Sequence, residues 1–215
     1  MSIPILSIES FDKDYISTCI SNGLIGFSPG PNPLMPCKTV IAGFIHEHPS
    51  MQFEQFSPAP YSLGLDLIIG EHSMRDNPDS VIVLKQSLDM SNGELTTSMK
   101  MRFGSDSYLD VIVIQFASRT VPCLIAQEIR LKTDIECTLR INTKIDEENI
   151  SVNEFKTRTR DTTGGWYSVD LIDNVKALQS DRCRLGIAQI IPRGNDITQK
   201  EISRYEMKLK PGIEK

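Results

Sequence analysis

Along most of the chain apolar and polar residues alternate with a period of two, in short runs bounded by Gly, Pro, Asn and Asp. That is the pattern of half-buried β-strands joined by tight turns. The clearest example runs from Ile82 to Phe103, IVLKQSLDMSNGELTTSMKMRF, two alternating segments on either side of Asn92-Gly93. A type I′ turn needs positive φ at both central residues, and Asn-Gly tolerates this at least cost, so a two-residue hairpin turn is predicted there. Its register sets Ser91 against Glu94, then Met90 against Leu95, Leu88 against Thr97, Leu84 against Met101 and Ile82 against Phe103, on one apolar face. The other face carries Asp89, Ser87 and Lys85 against Thr96, Ser98 and Lys100. Two features sit badly in this register: Gln86 falls among the apolar set, and Lys85 faces Lys100, a like-charge pair. A ribbon with one apolar face needs a second layer, so sheet packs on sheet.

The remaining runs extend the same reading. Met1 to Leu34 is irregular, and SNGLIGFSPGPNPLMP holds three Gly and four Pro, which leaves room for a strand around Gly23 to Phe27 and then an ordered loop. Thr39 to Ile45 reads as a strand, His46 to Tyr61 as a long loop with three prolines, Leu63 to Ile69 as a strand and Glu71 to Ser80 as a polar turn region. Tyr108 to Phe116 is apolar at both parities, which predicts a central strand covered on both faces. Cys123 to Lys144 reads as a second hairpin with a three-residue loop at Lys132 to Asp134, which sets Leu131 against Ile135 and Ile129 against Cys137. Weaker strands follow near Ile150 to Phe155, Trp166 to Ile172 and Ala177 to Gln179, then a stronger one at Cys183 to Ile191, and RYEMKLK at Arg204 to Lys210 alternates strictly. Ile197 to Tyr205 fits either a strand or one or two helical turns. About a dozen short strands with little helix predict an all-β protein, a large antiparallel two-sheet sandwich in a single domain over residues 1–215.

Composition narrows the partners. A net charge of −5 and a pI near 5.3 give no clustered basic footprint for nucleic acid. The five cysteines form no CxxC pair and are odd in number, which excludes a full disulfide framework. Cys123, Cys137 and Cys183 fall in apolar rows, as small buried hydrophobes of a reducing compartment would. With no basic leader and no apolar run long enough to span a bilayer, a cytoplasmic protein without a membrane partner is expected.

Candidate chemistry is sparse. His46-Glu47-His48 is the most metal-like cluster: on a strand the two histidines share a side, but no third ligand is near in sequence, so no metal is expected and a polar rim fits better. Trp166 and Tyr167 follow Gly164-Gly165 and could offer a stacking platform to a sugar ring, although a lone Trp more often anchors a core. Asp12 with Asp14, and Asp146 with Glu147 and Glu148, are carboxylate groupings of the kind glycoside hydrolysis needs. In surface turns such groups are usually only solvated. No GxSxG, HExxH or HRD motif occurs, so neither a catalytic residue nor a cofactor is assigned.

Five segments nevertheless occur in a familiar order: SNGLIGFSPG at Ser21 to Gly30, VIAGFIHEH at Val40 to His48, SLGLDLIIG at Ser62 to Gly70, LDMSNGELTTSMKM at Leu88 to Met101 and QFASRTVPCLIAQEIRL at Gln115 to Leu131. Together they resemble the N-terminal domain of glycoside hydrolase family 65, the maltose, trehalose and kojibiose phosphorylases and related α-glucoside hydrolases. The resemblance covers roughly residues 20 to 145 and departs at Leu24, where the family usually has an aromatic residue. It implies a galactose-mutarotase-like supersandwich that packs against a helical barrel of the same polypeptide, a barrel that carries the general acid and has no counterpart here. It further implies a non-catalytic domain that lends a loop, such as His46 to Tyr61, to the rim of an α-glucoside pocket. With the stacking candidates Trp166 and Tyr167, His46 and His48 on that loop are the residues expected nearest carbohydrate, and a homodimer is admitted. The alternatives are a free-standing carbohydrate-binding module and a structural β-sandwich that binds only other proteins.

Overall fold

A strand with one apolar face is stable only when a second apolar face covers it, and the computed structural model closes this chain by that rule. It describes residues 5–47, 53–146, 154–160, 172–179, 184–190, 197–201 and 204–215. In chain order the strands are β1 (Ile5–Ile8), β2 (Ile20–Ser21), β3 (Ile25–Ser28), β4 (Lys38–Glu47), β5 (Glu54–Ala59), β6 (Tyr61–Ile69), β7 (His72–Ser73), β8 (Val81–Asp89) and β9 (Glu94–Arg102). They continue with β10 (Tyr108–Ala117), β11 (Ile125–Thr133), β12 (Cys137–Asp146), β13 (Glu154–Arg160), β14 (Ile172–Gln179), β15 (Arg184–Ile190), β16 (Ile197–Glu201) and β17 (Arg204–Leu209). A single 3-10 turn, Pro78–Ser80, is the one helical element among the described residues.

Two five-stranded antiparallel sheets, β1-β8-β9-β10-β11 and β16-β17-β12-β6-β7, share one core. The first contributes Met99, Met101, Leu109, Val111, Val113 and Leu131, and the second Leu65, Leu67, Ile69, Leu139, Met207 and Leu209. A four-stranded sheet, β2-β3-β4-β5, lies over a smaller core in which Ile20 and Phe27 meet Tyr61, Leu63 and Leu95. A three-stranded sheet, β13-β14-β15, completes the described strands.

The β8–β9 hairpin exists, but its register differs from the predicted one. Asp89 pairs with Glu94 and Leu88 with Leu95, so the loop is four residues long, Met90 to Gly93. The Asp89 carboxylate accepts hydrogen bonds from the Ser91 backbone N–H and hydroxyl at 2.8 and 2.6 Å, and the Gly93 N–H donates to the Asp89 carbonyl at 2.8 Å with Gly93 at φ +72°. This Asp-initiated turn outcompetes the two-residue one. A bulge at Leu84 then shifts the outer half, so Val81 and Val83 point inward while Ile82 and Leu84 stand 52% and 43% exposed. Lys85 faces Ser98, not Lys100, and pairs with Glu9 at 3.1 Å, while Lys100 pairs with Asp110 at 3.4 Å.

The predicted second hairpin is not formed. β11 pairs with β10 in the first sheet and β12 with β17 and β6 in the second, so the chain crosses between sheets at residues 134–136. Both strands keep the period-two pattern either way, which is why alternation cannot separate a hairpin from a crossover. The Thr133 hydroxyl holds the corner, donating to the Ile135 carbonyl and accepting from its N–H. On the outer edge of β11, Leu131 exchanges backbone hydrogen bonds with Lys215 at 2.8 and 2.9 Å.

Other expectations also change. β10 lies between β9 and β11, but only Leu109, Val111, Val113 and Gln115 are buried; Ile112, Ile114 and Phe116 on the outer face are half-buried. Much of the expected His46 to Tyr61 loop is strand, since β4 runs to Glu47 and β5 pairs with it. Residues 197–201 form β16, which decides that segment for strand. Cys123 is exposed in the β10–β11 loop and Cys137 half-buried, where burial pushes its thiol up; Cys19, Cys123 and Cys137 are free thiols, and Cys183 lies outside the described residues.

Candidate functional site

Prolines organise the end of the sandwich beneath β2-β3-β4-β5. Pro29, Pro31 and Pro33 have no N–H, so the segment 29–34 is short of donors, and beside the Leu65 and Met35 N–H groups, which reach the Leu34 and Asn32 carbonyls at 3.2 and 3.3 Å, it needs donors from elsewhere. Side chains supply them. Gln86 Nε2 donates to the Gly30 carbonyl at 2.9 Å and the Pro31 carbonyl at 3.4 Å. Tyr61 Oη donates to the Pro33 carbonyl at 2.6 Å and in turn accepts from Gln115 Nε2 at 2.6 Å. Arg75 bridges the Leu34 carbonyl through Nη2 and the Leu65 carbonyl through Nε, each at 3.0 Å.

The network continues sideways. Gln115 Nε2 also lies 3.2 Å from Gln127 Oε1, and Gln127 Nε2 donates to the Leu63 carbonyl at 2.7 Å. Tyr15 Oη donates to Gln86 Oε1 at 2.7 Å, and burial raises its phenol above the ordinary value. Gln86 and Gln115 are buried, and both stand on inward rows that are otherwise apolar. A polar residue on an inward row was the one sequence signal available for this clamp, and the predicted register made a flaw of it.

Resting on this end, the four-stranded sheet turns an apolar face outward. Ser21, Gly26, Val40 and Pro58 form one row across it. A Cβ at Gly26 would meet Val40 Cγ2 at 3.4 Å, an ordinary contact that places Val40 directly beside it on this row. Phe56, two residues before Pro58 and opposite Ile45, is 58% exposed; Val40 is 41% and Leu24 37% exposed. Lys38 and Glu54 flank this area and are exposed. Val, Ile, Pro and Phe can make contact but cannot move a proton or attack a substrate. The signal was present in QFSPAP, where Phe56 and Pro58 alternate with Gln55 and Ser57, but the prolines read as loop. Pro58 fits because β5 is an edge strand.

Of the residues predicted to approach carbohydrate, His46 lies in β4 opposite Gln55, within a strand and not on a loop rim. His48, Trp166 and Tyr167 lie outside the described residues. Among the described residues no three His, Cys, Asp or Glu side chains are grouped to hold a metal. Asp12 and Asp14 belong to an exposed turn in which Asp12 Oδ1 accepts the Asp14 N–H at 3.0 Å. The Asn-Gly opening is likewise structural: Asn22 Oδ1 accepts the Leu24 and Ile25 N–H groups, and Nδ2 donates to the Ser118 and Pro122 carbonyls at 2.6 and 2.9 Å. It ties the β2–β3 turn to the β10–β11 loop.

Three comparisons bear on what this frame is for. The family model described as "Glycosyl hydrolase family 65, N-terminal domain" matches residues 38–175, well over half of the chain. A kojibiose hydrolase of Flavobacterium johnsoniae is 22% identical over 221 residues, which is 96% of this chain and 31% of that protein. A solved structure of a protein from the human microbiome, assigned as a kojibiose phosphorylase, shares the fold at a TM-score of 0.61 and 10% identity, over 98% of this chain and 31% of that one. The chain thus spans about a third of the length of these relatives.

Proposed function

The chain belongs to the glycosyl hydrolase family 65 N-terminal domain family, and from this we propose that it is the non-catalytic front domain of a longer hydrolase or phosphorylase acting on an α-glucoside. The observation that carries the reading is one of extent. Nearly the whole chain aligns with relatives of which it is only 31%, so the reaction belongs to sequence outside it. In this reading residues 1–215 form one domain of galactose-mutarotase-like supersandwich type that supports a helical barrel of the same polypeptide. The β4–β5 hairpin reaches toward the sugar pocket, with His46, His48, Trp166 and Tyr167 nearest the carbohydrate. A free-standing carbohydrate-binding module is the competing class.

The mass of the native gene product, set against the 24.1 kDa of this chain, is the first test. A product several times heavier that cleaves or phosphorolyses kojibiose or a related α-glucoside, while the 215-residue chain does not, is the expected result. A native product of this chain's own size whose Trp166 fluorescence titrates with glucosides would overturn it in favour of the binding module.

A further inference from the structure

We infer that the outward face of β2-β3-β4-β5, centred on Val40, Phe56 and Pro58, is where the remainder of the longer polypeptide packs. The inference rests on the function proposed above and adds the contact surface to it. A sheet with one wet face normally alternates apolar-in and polar-out. Here Val40, Phe56, Pro58 and Leu24 are exposed together on the outward side, on a row that also takes in the exposed Ser21, the buried Gly26 and the half-buried Ile45, and the Leu24 carbonyl accepts the Ala42 N–H at 2.8 Å. Contiguous exposure of this kind marks a contact surface, whereas scattered single residues do not. Lys38 and Glu54 lie at its margins, the arrangement of an apolar centre with a charged rim.

The face is also held firm from below. Its inner side, through Ile20 and Phe27, packs on Tyr61, the same residue that clamps the Pro33 carbonyl. Docking on a braced surface forfeits little conformational entropy. Pro58 deprives the β5 edge of a donor, so the face and not the edge is the part suited to contact. The rival apolar area differs in kind: Ile5, Leu6 and Ile8 sit on both faces of a four-residue edge strand beside the bulge at Leu84, crossed by the Lys85–Glu9 ion pair. Those are the features of a blunted edge. A sugar is a poor occupant for the Val40–Phe56–Pro58 centre, because its hydroxyls need polar partners around the stacking ring and the centre offers aliphatic carbon. A protein surface of the same polypeptide is the fitting occupant, since most of each relative lies outside the matched part.

Hydroxyl-radical footprinting of the full-length gene product, read by mass spectrometry, tests this directly. Phe56 and Val40 are expected to be protected to the level of the buried Phe27, while Ile82 and Leu84 keep the reactivity their exposure allows. A long product in which Phe56 reacts as a free phenylalanine overturns the inference and leaves the proposed function standing. A native product of 24.1 kDa overturns the proposed function itself and removes the occupant. Protection that disappears on dilution to monomer assigns the face to a second copy, and protection that appears only with added glucoside assigns it to carbohydrate; either result defeats the inference. In the same full-length protein Phe56→Glu is expected to lower Tm or split the unfolding transition in two, with Leu84→Glu as a silent control.

Discussion

The middle of the sandwich and its end are held by different forces. In the middle, Leu67, Leu109, Val111, Leu139 and Leu209 meet across the two large sheets with no polar side chain needed. At the end, Gln86, Gln115, Tyr61 and Arg75 tie down the carbonyls of a proline-rich segment. The cause is chemical. Apolar burial is non-directional and tolerates small shifts, so it suits two sheets that only need to cover each other. A segment with a proline at every second position from 29 to 33 presents more acceptors than donors, and buried acceptors must be paired. Directional bonds then fix where residues 29–34 lie, and with them the sheet above.

The comparison is sharpened first by the largest expected effect. Leu139→Ala removes a fully buried side chain from the middle and should cost about 2–5 kcal/mol by urea denaturation, the usual range for a core cavity. Gln115→Leu keeps the volume but removes the donor to Tyr61 Oη and Gln127 Oε1, while the Pro33 carbonyl keeps the Tyr61 hydroxyl, and about 1–3 kcal/mol is expected for the acceptors left unmet. If Gln115→Leu instead stabilises the protein, the end is held by packing like the middle and the distinction collapses. Hydrogen exchange separates the two variants further: Gln115→Leu should speed exchange locally, in residues 30–35 and β4, whereas Leu139→Ala should speed it throughout both large sheets.

Tyr15→Phe probes the same end through pH. The half-buried phenol has a raised pKa, so its contribution is fully present below the unfolded value near 10 and is lost as pH rises through the raised folded value. Ionisation would replace the donor to Gln86 Oε1 with a second acceptor facing it. At neutral pH Tyr15→Phe should cost about 1 kcal/mol, and its stability curve should be flatter than that of the parent above pH 10, as followed by denaturant midpoints across the alkaline range.

The sequence was most legible where one force dominates. Period-two alternation located β8, β9, β11, β12 and β17, because burial of one face is what makes a strand; short apolar runs located β6 and β10, and five ordered segments pointed to the family. It failed where two local solutions compete. Asn92-Gly93 favours a tight turn, yet Asp89 and Ser91 close a wider one, and the bulge at Leu84 changes the face again. Alternation says nothing about which sheet a strand joins, so the crossing between Thr133 and Cys137 was invisible. Prolines concealed β5, and with it the exposed Phe56, because on an edge strand they cost no ladder bond. For His46, His48, Trp166 and Tyr167 residue type could suggest a chemical capacity and no more, because position depends on contacts distant in sequence.

The smallest effect separates the two registers by its sign. In the tight-turn register Lys85 faces Lys100, and removing either charge relieves repulsion. In the observed register Lys85 lies against Glu9 and Lys100 against Asp110, so Lys85→Ala and Lys100→Ala should each destabilise, by a few tenths of a kcal/mol since both pairs are exposed. Salt screens such pairs, and the cost should fade between 0.01 and 1 M ionic strength, roughly as the Debye length shrinks from 30 to 3 Å. The Lys85→Ala, Lys100→Ala double variant should be additive, because each lysine answers to a different carboxylate. A stabilising single substitution, or a double variant whose gain is less than the sum of its parts, would return the two lysines to each other and with them the two-residue turn.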